Sequence, residues 1–144
     1  MLAGVNAAQG RPDFSGRWLM EPSLSSDNAP ATATVGPLIQ SGPETRMTVA
    51  LPSPGGPITE TRQAGLIGGT VGAAGVSTHY GGSWEGTDLV FESGTHTGRA
   101  PKTGDWKERG ERWWLDEARH LHIVTTTGGS NEPATTVTWV FKRQ

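Results

Sequence analysis

The chain has 144 residues, a formal net charge of −2 at neutral pH and no cysteine. Acidic and basic side chains are interspersed, so no basic stripe exists that could neutralise a nucleic-acid backbone, and nucleic acid is not an expected partner. Without cysteine the chain has no thiol nucleophile, no disulfide and no thiolate metal site. Its length fits one domain, and 21 glycines, 10 prolines and 18 threonines favour short strands joined by many turns.

The first ten residues, MLAGVNAAQG, resemble the tail of a secretory signal. Val5 and Ala7 supply the small-residue pattern that precedes a cleavage site, although the charged and long apolar regions of a full signal are missing. A plain disordered leader is the alternative. We therefore divide the chain into a leader over residues 1–10 and one domain over residues 11–144, and we expect a periplasmic or secreted protein. No apolar run is long enough to span a bilayer.

In the first half of the domain, strand signals alternate with Gly, Pro and Ser punctuation. FSGRWLM over 14–20 is the first strand, and the segment from about 21 to 35 is predicted to be irregular or to carry one helical turn. GPLIQSGPETRMTVAL over 36–51 predicts a hairpin with its turn at SGPE. ITETRQ over 58–63 alternates strongly, and GLIGGTVGAAG over 65–75 is either a small-residue loop or a bulged strand.

The second half of the domain predicts a run of adjacent strands. They are VSTHYGGSW, TDLVFESGTHTG, DWKERGERWWL, RHLHIVTTT and ATTVTWVFKR, connected by EG, RAPKTG, DEA and GGSNEP. About eight to nine strands at a spacing of about ten residues predict an all-β, antiparallel up-and-down β-barrel, with a β-sandwich as the alternative. A meander that closes on itself leaves no exposed edge, which favours the barrel.

Three short motifs carry a resemblance to a known superfamily. FSGRW places Gly16 two residues before Trp18 on the first strand, PLIQSGPETRMTV forms an early hairpin, and the last strand, TWVFKR, ends in Lys142 and Arg143. Together they resemble the calycins, the superfamily of lipocalins and fatty-acid-binding proteins, and in particular small secreted bacterial lipocalin-like proteins. The resemblance implies a barrel in which a basic side chain such as Arg143 packs on Trp18 at the closed end. It also implies a protein that binds a small molecule.

Four histidines are the candidate metal ligands: His79, His96, His120 and His122. His120 and His122 lie on one face of a strand, about 7 Å apart at Cα, and could share a zinc, copper or iron ion with a third ligand from a neighbouring strand. The alternation with Leu121 and Ile123, however, favours a barrel interior filled by the aliphatic side chains and histidines that point to solvent. A neutral interior pair that contacts a ligand is a further alternative.

Aromatic side chains supply the candidate ligand-binding residues. The chain has six tryptophans, and Trp113 and Trp114 must face opposite sides of their strand. One is expected in the core and the other on the outer wall or at the rim of a cavity. The predicted ligand-binding set is Trp84, Tyr80, Trp113, Trp114 and His122, and the alternative is that these rings only fill the core.

The candidate acid/base residues are Glu92, Glu111 and His122. Glu92 is expected to point outward from Phe91, and Glu111 to pair with Arg109 or Arg112 on a wet face. There is no G-x-S-x-G motif, and the glycine-rich segment lacks the lysine of a phosphate loop.

The sequence thus predicts an extracytoplasmic barrel that binds a small apolar or amphipathic molecule in a tryptophan-lined cavity. The first alternative is a small barrel enzyme that uses a histidine-bound metal or a Glu/His pair. The second is an interaction domain with a filled interior. No cofactor is expected apart from that metal ion in the first alternative.

Overall fold

A computed structural model describes residues 5–6, 11–41, 44–64, 67–71, 76–97 and 105–144. The strands are β1 Val5–Asn6, β2 Arg11–Pro12, β3 Gly16–Met20, β4 Thr32–Val35, β5 Ile39–Ser41, β6 Glu44–Leu51, β7 Ile58–Ala64, β8 Ile67–Val71, β9 Val76–Glu85, β10 Asp88–Thr97, β11 Trp106–Leu115, β12 Leu121–Gly129 and β13 Glu132–Arg143. Among the described residues the helical structure is a single 3₁₀ turn, Pro22–Leu24. The prediction of an all-β antiparallel fold is confirmed.

The main sheet is an antiparallel meander that curls on itself. Its strand order is β5-β6-β4-β3-β13-β12-β11-β10-β9-β8, with β7 paired to β6. The last strand, β13, therefore returns to pair with the first long strand, β3. In the part of the chain that the structure describes, no ladder joins β7 to β8, so backbone hydrogen bonds do not close the barrel, but β7 lies against β9 and β10.

The number of long strands agrees with the predicted eight to nine. Nine strands of the main sheet have five or more residues, and β4 and β5 are shorter. The strand β4 falls in the segment predicted as irregular, because its alternation of Thr with Ala33 and Val35 lasts for only four residues after a Pro, Ser and Asn cluster. The predicted helical turn in the same segment is present as Pro22–Leu24.

Several predicted features fall partly or wholly on residues that the structure does not describe. They are the leader beyond the pairing of β1 with β2, the centre of the SGPE turn, the RAPKTG connection and parts of the glycine-rich segment 65–75. The EG connection is confirmed, because Gly86 adopts a left-handed φ of 64° between β9 and β10. The last hairpin turns more tightly than predicted, since β12 continues to Gly129 and β13 begins at Glu132.

The part of the chain that the structure describes contains one cluster of buried apolar side chains. Its buried members are Phe14, Trp18, Ala33, Val35, Met47, Val49, Leu89, Phe91, Trp113, Leu121, Ile123 and Phe141. They come from seven strands and the segment before β3. Alternation along each strand explains the set, because every second side chain faces the interior.

The pairing of Arg143 with Trp18, expected from the calycin resemblance, is present. The guanidinium carbon lies 4.3 Å from the centre of the Trp18 ring, and the guanidinium donates hydrogen bonds to the carbonyl oxygens of Ser15 (2.6 Å) and Asp13 (3.2 Å). Gly16 has a φ of 132°, and a Cβ there would lie 2.8 Å from Arg143 Nη1. Glycine is thus required both for the backbone conformation and for the approach of the arginine. The stacking contributes about 0.5–1 kcal/mol at such an exposed site.

Candidate functional site

The strand register arranges the inner face of β10 to β13 in rows of side chains whose polarity changes along the barrel. The first row is Leu89, Trp113, Ile123 and Trp139; the second is Phe91, Glu111, Thr125 and Val137; the third is Ser93, Arg109, Thr127 and Thr135. Successive rows are about 7 Å apart, two residues along each strand. The interior therefore passes from an apolar end to a charged and hydroxyl-rich end within about 14 Å.

Glu111 is the centre of the polar part of this interior. It is only 5% exposed, and each of its carboxylate oxygens accepts two hydrogen bonds. Oε1 accepts from Arg62 Nε (2.9 Å) and Trp113 Nε1 (2.6 Å), and Oε2 accepts from Arg62 Nη2 (3.3 Å) and Arg109 Nη2 (3.1 Å). These donors fill about four acceptor positions, the capacity of a carboxylate.

The prediction that Glu111 lies on a wet face is wrong, although its predicted pairing with Arg109 is present. Glu111 shares its side of β11 with the buried Trp113, so it faces the interior. Arg112 points to the opposite side and donates hydrogen bonds to Asp88 (2.8 Å) and Glu85 (2.9 Å) at the β9–β10 turn.

Arg62 crosses the interior from β7 to reach Glu111 on β11. Burial acts to lower the pKa of Arg62, but its hydrogen bonds to Glu111 and the charges of Glu111 and Glu60 outweigh that effect, so the net pKa is raised. The guanidinium thus stays charged. A buried ion pair offsets its desolvation cost only when its remaining donors and acceptors are satisfied, and Glu111 meets that condition.

A cavity of about 400 Å³ opens beside this cluster. Its lining includes Phe91, Ser93, Arg109, Glu111, Arg62 and Gln63, with Glu92 at the edge. We call it the Glu111 cavity. An open groove of about 500 Å³, which we call the Lys107 groove, continues from it and includes Thr95, Lys107 and Thr127. The cavity and the groove share Ser93 and Arg109.

The predicted ligand-binding aromatic residues do not share one cavity. Trp113 is 1% exposed and makes an edge contact with Phe91, at a centroid distance of 6.3 Å, and Trp84 stacks on Phe14 at 6.0 Å. Trp114 lies on the opposite side of β11, where it stacks on His122 at 4.8 Å. Trp114 and His122 therefore cannot line an interior cavity with Trp113. Tyr80 pairs with Ser93 in the β9–β10 ladder, but its side chain lies outside the described structure.

The sequence predicts that His120 and His122 point to solvent, and the face is as predicted, since Leu121 and Ile123 on the inner face are at most 2% exposed. The histidine side chains are only 31% and 21% exposed, however, because they pack against Asp116 and Trp114 on the outer surface. The four histidines are not brought together. His96 pairs with Trp106 and His122 with Trp114, two positions on β11 that are about 26 Å apart. The backbone of His79 is opposite Gly94. Among the described residues no group of three metal-ligating side chains is found.

Asp116, which the sequence reasoning missed, organises His120 and His122. His122 Nε2 lies 2.8 Å from Asp116 Oδ2, and the backbone N–H of His120 donates to Asp116 Oδ1 at 2.9 Å. The hydrogen bond from His122 holds the pKa of Asp116 below its usual range, against the opposing effect of burial and with help from His120. The spacing D-x₃-H-x-H across a predicted turn was the available signal.

The structure also shows the position of Glu92, the remaining acidic candidate for catalysis. Glu92 is exposed beside the buried Phe91, as predicted, and it lies at the edge of the Glu111 cavity. Arg62 was missed, because nothing local in ITETRQ indicates which face is buried.

No protein-family model and no curated protein matches this chain. In the described part of the chain, no helix has the length and apolar character needed to cross a membrane.

Proposed function

We propose that this protein binds a small amphipathic molecule inside its barrel, in the Glu111 cavity. The observation that carries the proposal is the change of polarity along the inner face, from Trp113 and Phe91 to Arg109 and Ser93. A site that presents apolar surface with a few fixed polar groups is typical of small-molecule pockets. Its volume of about 400 Å³ lies within the range of about 300–1,000 Å³ for such sites.

The tryptophans have a different role in this proposal from the one that the sequence suggests. Trp113 lies on the apolar side of the cavity and supports two of its lining residues. Its ring packs against Phe91, and its indole N–H donates a hydrogen bond to the Glu111 carboxylate. The apolar part of the ligand contacts Phe91, and its polar part contacts Arg109 and Ser93. The placement outside the cytoplasm stays a prediction of the sequence.

The enzyme alternative receives no support from Glu111. A general base needs a free acceptor position for the proton that it takes, and the four hydrogen bonds to Glu111 occupy its acceptor positions. Glu111 therefore positions its two arginines, which is the role expected in a binding site.

Fluorescence of N-phenyl-1-naphthylamine, an uncharged amphipathic probe, tests the proposal. We expect saturable binding of one probe molecule per chain. The substitution Ser93→Phe places a ring from an exposed inner-face position into the cavity and should weaken binding by about tenfold or more, which corresponds to a loss of at least about 1.4 kcal/mol of binding free energy.

The matched control is Ser83→Phe, at an exposed position of β9 that pairs with Val90 on the outer side. It should leave the affinity for the probe unchanged. Absence of saturable binding by the natural chain, or equal effects of the two substitutions, would overturn the proposed site.

A further inference from the structure

We propose that the ligand carries one negative charge and that Arg109 holds it. This inference rests on the proposed function and specifies the chemical class of the ligand: an amphipathic monoanion such as a carboxylate or a sulfonate. It follows from the way that Arg62 and Arg109 share the carboxylate of Glu111 and from the position of Arg109 between the cavity and the Lys107 groove.

Two arginines of the interior meet at one buried carboxylate. Arg62 and Arg109 share the single buried carboxylate of Glu111. Glu60 also contacts Arg62, at 3.3 Å, but its side chain is 42% exposed, so solvent screens its charge more than that of Glu111. Arg109 is exposed to a similar degree, 44%, so solvent screens both charges alike, and what distinguishes Arg109 is that it shares one carboxylate with Arg62 and keeps further N–H donors for a ligand.

Arg109 is the cation that can reach a ligand. Arg62 uses both Nε and Nη2 on Glu111, and its side chain is only 15% exposed. Arg109 is 44% exposed and, among the contacts of the described residues, donates one hydrogen bond, to Glu111. A guanidinium has five N–H donors in a planar fork that suits two oxygens of one anionic group, so Arg109 has donors for a ligand as well as for Glu111.

The surroundings of Arg109 suit an anionic group better than a neutral or cationic one. Ser93 and Thr127 flank it in the same row, and both have hydroxyl groups that can donate. Lys107 follows on the same face of β11 and lines the groove, where Glu132 lies 3.3 Å from its Nζ and Glu108 also contributes to the lining, so the cation that faces the cavity itself is Arg109. A cationic group placed beside Arg109 would be repelled by its guanidinium, and a neutral apolar one would desolvate the guanidinium without replacing its hydrogen bonds.

The experiment compares two probes of similar shape that differ in charge: 8-anilinonaphthalene-1-sulfonate, a monoanion, and the uncharged N-phenyl-1-naphthylamine. Both are titrated into the full chain and into Arg109→Gln, Arg109→Lys and Arg17→Gln. Arg17 is an exposed arginine of β3 and serves as the matched control. Circular dichroism checks that each variant is folded.

We expect Arg109→Gln to lower the affinity for the sulfonate, relative to that for the uncharged probe, by about 10- to 100-fold, as loss of a charged hydrogen bond does. Arg109→Lys should retain part of that preference, and Arg17→Gln should leave it unchanged. In the natural chain, raising the salt concentration from about 0.05 to about 0.5 M should weaken sulfonate binding more than binding of the uncharged probe.

Each failure has a distinct meaning. If the uncharged probe binds but Arg109→Gln leaves the ratio of affinities unchanged, the anionic ligand class is overturned and the proposed function stands. If neither probe binds, the proposed function fails. If Arg109→Gln does not fold, the salt series decides, because sulfonate binding that is insensitive to salt contradicts a charged contact.

Discussion

A carboxylate taken out of water is costly unless hydrogen-bond donors replace its hydration. Glu111 obtains these donors from two strands, because Arg62 comes from β7, and Arg109 and Trp113 come from β11 on either side of Glu111 itself. The local sequence shows only an acid near several bases, a pattern that is usually exposed. Glu111 is buried because it lies on the same face of β11 as Trp113.

Removal of this carboxylate should be strongly destabilising. We expect Glu111→Ala to lower the free energy of unfolding by about 3 kcal/mol, since it leaves the buried Arg62 with only the half-exposed carboxylate of Glu60 as a counter-charge. Glu117→Ala, at an exposed position of the β11–β12 turn, should change it by less than about 0.5 kcal/mol. Urea unfolding of both variants measures the difference, and equal stabilities would show that the cluster is not a buried ion pair.

At the level of elements, the β11–β12 hairpin depends on one side chain in its turn. Asp116 accepts hydrogen bonds from the backbone of His120 and from the ring of His122, while its own backbone N–H donates to the carbonyl oxygen of His120 at 3.0 Å. Arg119 adopts a left-handed φ of 68° in the same turn. The connection DEA was predictable from its composition, but the bonds from Asp116 into the next strand were not.

The lowered pKa of Asp116 gives this hairpin a dependence on acid. Because the pKa is lower in the folded chain than in the unfolded one, the stabilisation is present above the unfolded pKa and is lost as the pH falls through the folded pKa. We expect His122→Ala to raise the pKa of Asp116 toward its usual value and to remove most of this acid dependence.

Titration of the Asp116 carboxyl carbon by nuclear magnetic resonance checks the shift. His120→Ala is the matched control, because the His120 ring is 3.9 Å from the carboxylate and its backbone hydrogen bond is retained. His120→Ala should change the pKa of Asp116 less than His122→Ala does. A pKa of Asp116 that is the same in the natural chain and in His122→Ala would contradict this account.

At the level of the whole molecule, the sheet is curled but not closed by hydrogen bonds in its described part. The side chain of Arg62 joins β7 to β11 across the interior, so the charged cluster of the site also holds two distant parts of the sheet together.

The sequence predicted the features that depend on alternation along one strand. The inward Leu121 and Ile123, the outward Glu92 and the opposite faces of Trp113 and Trp114 all follow from a period of two residues. The contact of Arg62 with Glu111 joins residues 49 positions apart and depends on the curvature of the sheet, which no local pattern encodes. The sequence therefore did not predict the contact between Arg62 and Glu111, because that contact forms only when the curved sheet brings β7 and β11 together.

The central claim is that a small molecule binds inside the barrel beside Glu111, and the indole N–H signals of the tryptophans test it most directly. Trp113 Nε1 donates to Glu111 at the base of the cavity, whereas Trp114 stacks on His122 on the outer face. In a two-dimensional nitrogen–proton spectrum, addition of N-phenyl-1-naphthylamine should shift the Trp113 indole signal and leave that of Trp114 in place. A shift of Trp114 alone, or no shift of Trp113 at saturation, would contradict it.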